Sequence, residues 1–295
     1  MKWKRLLLGL IGIALFAFIL SSIDLAKVAE AVLGAEKLFL LLAFFAIIIN
    51  LLGRGWKFGL AAEFYGEKFT LMDATKIFCA GSMIGFLTPL KAGILARAFY
   101  FKQLNLAKRI AAIAVDRASD MIAVGLCGLV GLAFFPLLEK FFLEKLLLLA
   151  AVALVGACVL FLLLKKFFWN FLTELLSVLH SPFFSLKIFG WGAINFLTTV
   201  IAYFFVAASL GVTVPVLPFL AIVAAVLFIE LFPVTFLGLG TREAGLITLL
   251  SLYSVPAETA VALSLVFLFI NYATLSAIAL TKIIETPLKW MEIFP

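Results

Sequence analysis

Ile77-Phe78-Cys79-Ala80-Gly81-Ser82-Met83-Ile84-Gly85-Phe86-Leu87-Thr88-Pro89 is an apolar run that stops too soon. The twelve residues before Pro89 make about 18 Å of helix, short of the roughly 30 Å of a bilayer's hydrocarbon. The stretch from Lys91 to Arg109 that follows holds five Lys/Arg and no acid. If the run crossed, that basic stretch would lie outside, against the preference of Lys/Arg-rich loops for the cytoplasm. The run therefore reads as part of a re-entrant hairpin that dips in from the cytoplasmic side.

Around it the chain is almost wholly apolar. Of 295 residues 66% are hydrophobic and 13% charged, against roughly a quarter charged in soluble domains. The mean hydropathy is +1.26. These values exclude a cytosolic globular enzyme, a disordered regulator and a disulfide scaffold. The net charge of +7 fits cytoplasmic loops lying against anionic lipid, so no nucleic-acid partner is expected. Cys79, Cys127 and Cys158 lie unpaired in apolar stretches and read as small core residues.

Apolar runs long enough to cross are residues 6–23, 34–53, 110–135, 146–164, 188–210 and 258–281. Met1-Lys2-Trp3-Lys4-Arg5 imitates the start of a signal peptide, but no small-residue cleavage site follows Ser21-Ser22. Residues 6–23 are thus an uncleaved first span with the N-terminus inside. A second interrupted region covers 216–254, where Pro233 precedes Gly238-Leu239-Gly240. It is either re-entrant or crosses twice, and the charge rule does not decide. The expected architecture is an all-α polytopic membrane bundle, a single transmembrane domain over 1–295. It has six full spans and two broken or re-entrant hairpins, six to eight spans in all. On this topology 17 of the 23 Lys/Arg fall on the inner face, and all five tryptophans lie at inner boundaries as interfacial anchors. Residues 167–184 are either an interfacial helix or a linker.

Each half, about 1–137 and 138–295, reads span, span, broken hairpin, span. Pro89 leads through Gly93 to Arg97, and Pro233 leads through Gly238 and Gly240 to Arg242. Three spans per half turn the second half upside down, giving an inverted repeat like those of many secondary transporters. Chance recurrence of Pro and Gly at helix breaks is the competing explanation.

Charges inside the membrane segments are few and costly. Asp116, Arg117 and Asp120 share the early turns of one helix. They form either an ion cluster that ties this helix to the hairpin through Arg97 or Lys91, or the wall of a polar cavity. Glu230 lies three residues before Pro233. Arg242-Glu243 follows the second break, where a half-helix N-terminus is expected to aim free N–H groups at an anion. Lys91, Arg97, Arg117 and Arg242 match Asp116, Asp120, Glu230 and Glu243 in number. Such a neutral, mixed-sign cavity suits a zwitterionic or phosphate-bearing headgroup, or an internally paired core. Asn50, Asn195 and Asn271 are expected to hydrogen-bond between helices. The single histidine, His180, lies in a loop, and no nucleotide, nucleophile or metal motif is present, so neither a cofactor nor a metal is expected.

Thr88-Pro89-Leu90-Lys91-Ala92-Gly93-Ile94-Leu95-Ala96-Arg97, followed by Ala114-Val115-Asp116-Arg117-Ala118-Ser119-Asp120, resembles the first signature of the lysylphosphatidylglycerol synthase transmembrane-region family. This flippase-like domain also occurs in some archaeal glycosyltransferases. The stretch from Pro233 through Gly238-Leu239-Gly240-Thr241-Arg242-Glu243 resembles its second signature. The resemblance implies a polytopic membrane protein; in characterised multidomain members this region is associated with moving an aminoacylated lipid across the bilayer. Two positions depart from it: Ile94 stands where members carry an acid, and Leu90 where many have glycine. The sequence shows no synthase or glycosyltransferase domain, so aminoacyl transfer is not expected and the chain is not read as an enzyme. The leading expectation is a flippase-like protein of the cell membrane for a phosphate-bearing lipid or lipid-linked molecule. In that reading Lys91, Arg97 and Arg242 engage phosphate, while Asp116, Asp120 and Glu243 orient the arginines or contact the headgroup. An ion-coupled carrier of a small polar solute is the alternative, as is a non-transporting partner of a separate lipid-modifying enzyme. Oligomeric state is not legible in the sequence.

Overall fold

The computed structural model describes residues 16–132, 173–174, 176–178, 180–231 and 239–286. Every element in that set is helical. Residues 16–22 are helical and lead to Asp24, whose carboxylate accepts from Ala26 N–H at 2.9 Å and so caps the short α1 (Leu25–Leu33). Three helices are long and apolar enough to cross a membrane: α2 (Lys37–Phe64), α5 (Pro182–Ser209) and α8 (Ala257–Glu285). They cover nearly all of the expected spans 34–53 and 188–210 and the whole of 258–281. A fourth, α4 (Leu106–Leu132), has 27 residues, about 40 Å of helix; it covers most of the expected span 110–135 and carries Asp116, Arg117 and Asp120. The expected span 146–164 and most of 6–23 lie outside the described residues.

Between α2 and α4 stands the first hairpin. Its descending arm is α3 (Leu71–Leu87), capped by Thr70, whose hydroxyl accepts from Asp73 N–H at 3.2 Å. The arm ends at Thr88 because Pro89 forces its predecessor into extended backbone, here φ −114° and ψ 141°. The return arm is a run of 3₁₀ turns, Pro89–Tyr100. Its rise of about 2.0 Å per residue lets 12 residues cover about 24 Å, nearly matching the 17 residues and about 26 Å of α3. The arms run antiparallel, with Ser82 bonded to Arg97 and Gly85 packed on Ile94. A Cβ on Gly93 would come within 2.5 Å of the Ile84 carbonyl oxygen, and one on Gly85 within 2.7 Å of Ile94 Cγ1. Glycine at these two places is what lets the arms touch. Thr88 joins them at the tip: its hydroxyl oxygen accepts from Gly93 N–H at 2.6 Å and donates to the Gly85 carbonyl at 3.2 Å.

The feet of this hairpin meet. Glu67, just before α3, accepts from the N–H groups of Lys102 and Gln103 at 2.8 and 3.0 Å, just beyond the return arm. At the same end Asp73 pairs with Lys282 (3.2 Å), Lys76 with Glu285 (2.5 Å), and Phe64 stacks on Phe184 at 4.2 Å. The chain therefore enters and leaves on one side, as the re-entrant reading expects.

The second hairpin is α6 (Val216–Leu231) with α7 (Thr241–Ser251). It too is antiparallel: Gly245 faces Val226 and Ile229, and Arg242 pairs with Glu230. Its arms of 16 and 11 residues measure about 24 and 16 Å, less than a crossing. Both feet lie at the end opposite those of the first hairpin. There Glu36 N–H donates to the Ser209 carbonyl at 2.8 Å, joining the start of α2 to the end of α5. Leu210, Ile247 and Val261 share one apolar cluster at that end with Ile19 and Val28. Of the two sequence models for 216–254, the geometry is that of the re-entrant one. Pro233 and Gly238 themselves lie outside the described residues.

Candidate functional site

Both hairpins open onto one cavity of about 190 Å³. Ser82, Phe86 and Ile94 line it from the first, and Leu227, Glu230 and Arg242 from the second. Its remaining walls come from the middle turns of the long helices: Asn50 and Arg54 of α2, Arg117 and Asp120 of α4, Thr199 of α5, Asn271 and Tyr272 of α8. The cavity thus lies halfway along the bundle, where discontinuous helices meet in transporter folds.

Polar groups so far from water persist only where they are paired. Lys57 is completely buried and reaches four oxygens: the Asp116 carbonyl at 2.6 Å, Ser119 at 2.9 Å, and the carboxylates of Asp120 and Asp116 at 2.5 and 3.2 Å. Arg97 is equally buried and bonds Asp116 Oδ2 at 3.0 Å and Ser82 at 2.7 Å, its guanidinium lying 4.1 Å from the Phe78 ring centroid. Asp116 therefore serves two cations at once. Close approach is again bought with glycine: a Cβ on Gly81 would strike the Arg97 side chain. On the second hairpin Arg242 Nε donates to Glu230 Oε1. Glu243 turns back onto its own helix, accepting from Gly240 N–H at 2.6 Å and from Ser264 at 2.5 Å. On α2, Asn50 bonds across to the Asn195 carbonyl and to Thr198 and Thr199 at 2.7–3.1 Å.

These contacts divide the residues singled out from the sequence. Arg117, Asp120, Glu230 and Arg242 line the cavity; Arg97, Asp116 and Glu243 lie behind it. The Lys91 side chain is outside the described residues. Both sequence readings of the α4 charges hold, for different members. Asp116 ties α4 to the hairpin through Arg97, while Arg117 and Asp120 form wall. Two expectations need correction. At the N-terminus of α7 one N–H group, that of Gly240, is taken by Glu243 and is not open to an anion. The cavity region is not neutral either, since Arg54 and Lys57 join it. Among the described side chains five cations (Arg54, Lys57, Arg97, Arg117, Arg242) face four acids (Asp116, Asp120, Glu230, Glu243). Of the three buried asparagines only Asn50 bonds between helices through its side chain; both Asn195 side-chain polar atoms lack partners.

Arg54 and Lys57 lie just past the expected span 34–53, which ends at Gly53 and leaves them to the inner loop. The structure continues α2 to Phe64. Their signal was spacing: Asn50, Arg54 and Lys57 recur at four and three residues, one helix face, and Phe58-Gly59-Leu60-Ala61-Ala62 resumes the apolar run.

A comparison with curated proteins finds no match. The family model described as the lysylphosphatidylglycerol synthase TM region matches residues 5–279, nearly the whole chain and both hairpins. The chain belongs to the lysylphosphatidylglycerol synthase transmembrane-region family.

Proposed function

We propose that this protein is a flippase-like carrier that holds the phosphate of a lipid or lipid-linked molecule in the midplane cavity and moves it across the cell membrane. The observation that carries this reading is Arg117. It lines the cavity where the two oppositely inserted hairpins meet, and among the described residues it makes no hydrogen bond and has no carboxylate within 4 Å. A guanidinium is always charged, and its fork matches phosphate oxygens. With no carboxylate in contact in a membrane interior, it is placed to pair with an anion brought by the cargo.

The hairpins supply a route. One is rooted at each end of the bundle, so the two halves form an inverted repeat whose hairpins alternately open the cavity to either face. The end that gathers Arg109, Lys76 and Lys282 is the cytoplasmic one by the charge rule, which places the N-terminus inside. The protein acts by binding and moving its cargo and carries out no bond chemistry of its own. A lipid-modifying enzyme elsewhere in the cell supplies or consumes that cargo.

The test is reconstitution into vesicles containing fluorescent phospholipids, with dithionite bleaching of the outer leaflet. Wild type is expected to expose inner-leaflet lipid at least tenfold faster than Arg117→Gln. Equal bleaching with and without protein overturns the reading.

A further inference from the structure

The charges around the cavity also specify how much negative charge the cargo brings. Lys57 and Arg97 are neutralised by Asp116 and Asp120 through contacts of 2.5–3.2 Å. Arg242 is neutralised by Glu230. Glu243 keeps its charge but lies off the cavity wall, held by the Gly240 N–H and Ser264. Two cations on the wall remain. Arg54 gives its N–H groups to neutral oxygens only, Asn50 Oδ1 at 2.8 Å and Thr199 Oγ1 at 3.2 Å. The Arg117 guanidinium carbon lies 5.5 Å from the centre of the Phe78 ring, and its buried Nε has no hydrogen-bond partner. Neither has a carboxylate within 4 Å among the described residues.

Two guanidinium groups on the cavity wall without a contacting carboxylate are costly halfway across a membrane. A ligand with one negative charge can ion-pair fully with one of them; a ligand with two can ion-pair with both. Resting on the lipid-phosphate reading above, we propose that the Arg54–Arg117 pair selects a doubly charged phosphate. The cargo class is then a lipid phosphomonoester or diphosphate, in preference to an ordinary singly charged phosphodiester. A phosphomonoester carries about −1.5 to −2 at neutral pH, which matches the two arginines. Arg54 comes already oriented by Asn50 and Thr199, whereas Arg117 is held only through its ring contact, so the pair combines one fixed fork and one adjustable fork.

The experiment titrates the full chain, purified in neutral detergent, with phosphatidic acid and with phosphatidylglycerol of the same acyl chains. Bound lipid is counted by native mass spectrometry. Phosphatidic acid is expected to bind at least tenfold more tightly. Arg54→Gln and Arg117→Gln are each expected to bring that ratio close to one. Lipid-free Arg117→Gln is expected to melt no lower than wild type, because it sheds an unpaired charge, and to lose the stabilisation by phosphatidic acid. Equal affinity for both lipids, abolished by Arg117→Gln, overturns the two-charge inference and leaves the phosphate reading standing. Binding of neither lipid in an Arg117-dependent manner overturns both. Displacement of phosphatidic acid by an equal concentration of inorganic phosphate shows that the site takes soluble phosphate and overturns the lipid assignment. Should Arg54→Gln not fold, the wild-type ratio of the two lipids decides.

Discussion

Arg97 in the first hairpin and Arg242 in the second each follow a proline break through glycine, yet their surroundings differ. Arg97 is completely buried, bonded to Asp116 and Ser82 and sandwiched near Phe58 and Phe78. Arg242 is also buried, at 3%, but lines the cavity beside Glu230, whose side chain is 17% exposed. The first hairpin is interlocked along its length by Gly81, Gly85 and Gly93, and ion pairs hold its foot to α8. In the second, a Cβ on Gly245 would find Val226 and Ile229 at 3.4 and 3.6 Å, ordinary contact distances. The same local device thus builds a fixed wall in one half and a looser, cavity-facing arm in the other.

The largest expected effect tests the two arginines. Arg97→Gln leaves buried Asp116 with Lys57 as its remaining cation, and breaking such a buried pair costs about 3–5 kcal/mol. Arg242→Gln is expected to cost less than half as much in stability while slowing lipid exchange. Thermal unfolding of the purified variants, followed by size-exclusion chromatography, measures the first quantity. Equal losses for the two variants break the contrast.

A smaller effect tests the interlock. Gly85→Ala forces Ile94 aside and is expected to cost about 1–3 kcal/mol, as overpacking does. Gly245→Ala meets no obstruction and gains up to about 1 kcal/mol of helix propensity. Opposite shifts in melting temperature sharpen the comparison, and shifts of the same sign undo it.

The smallest effect lies at the foot of the first hairpin. The Thr70 hydroxyl, with Lys282 adding to it, holds the Asp73 carboxyl below its ordinary value. A depressed carboxyl contributes stability above its unfolded value, near 3.9, and loses it as pH falls through the lower folded value. Because Asp73 is half exposed, Asp73→Asn is expected to cost only about 0.2–1 kcal/mol at pH 7. That difference should shrink towards zero below about pH 4 in melting curves taken across the acid range. A difference that persists there rules out the carboxylate as its source.

Much of this fold was legible. The short run before Pro89 and the basic stretch after it specify a re-entrant hairpin, because chain length and loop charge act locally and can be read from order alone. Residues 216–254 stayed ambiguous because both topologies leave the same charges on the same faces; what bears on the choice is the short arms and the place of Glu230 and Arg242 at the mid-bundle cavity. The candidate site was half legible. Arg117, Asp120, Glu230 and Arg242 stand out as charges in apolar runs. Which of them are already paired depends on distances between helices, and no spacing within one helix supplies those. Arg54 and Lys57 were lost to the inner loop because hydropathy ends a span at the first charge, whereas a helix whose charges all face the interior continues past them.

Thr88 and Glu243 close the broken ends of both hairpins with their own oxygens. In a phosphate site built on open N–H groups at a helix start, recognition belongs to the backbone and is hard to change without rebuilding the fold. Here one such N–H group at each break is already taken, and the proposed selectivity rests on exchangeable side chains. On that reading selectivity is an evolvable property: a single codon change at position 117 is expected to alter the preferred charge without rebuilding either hairpin.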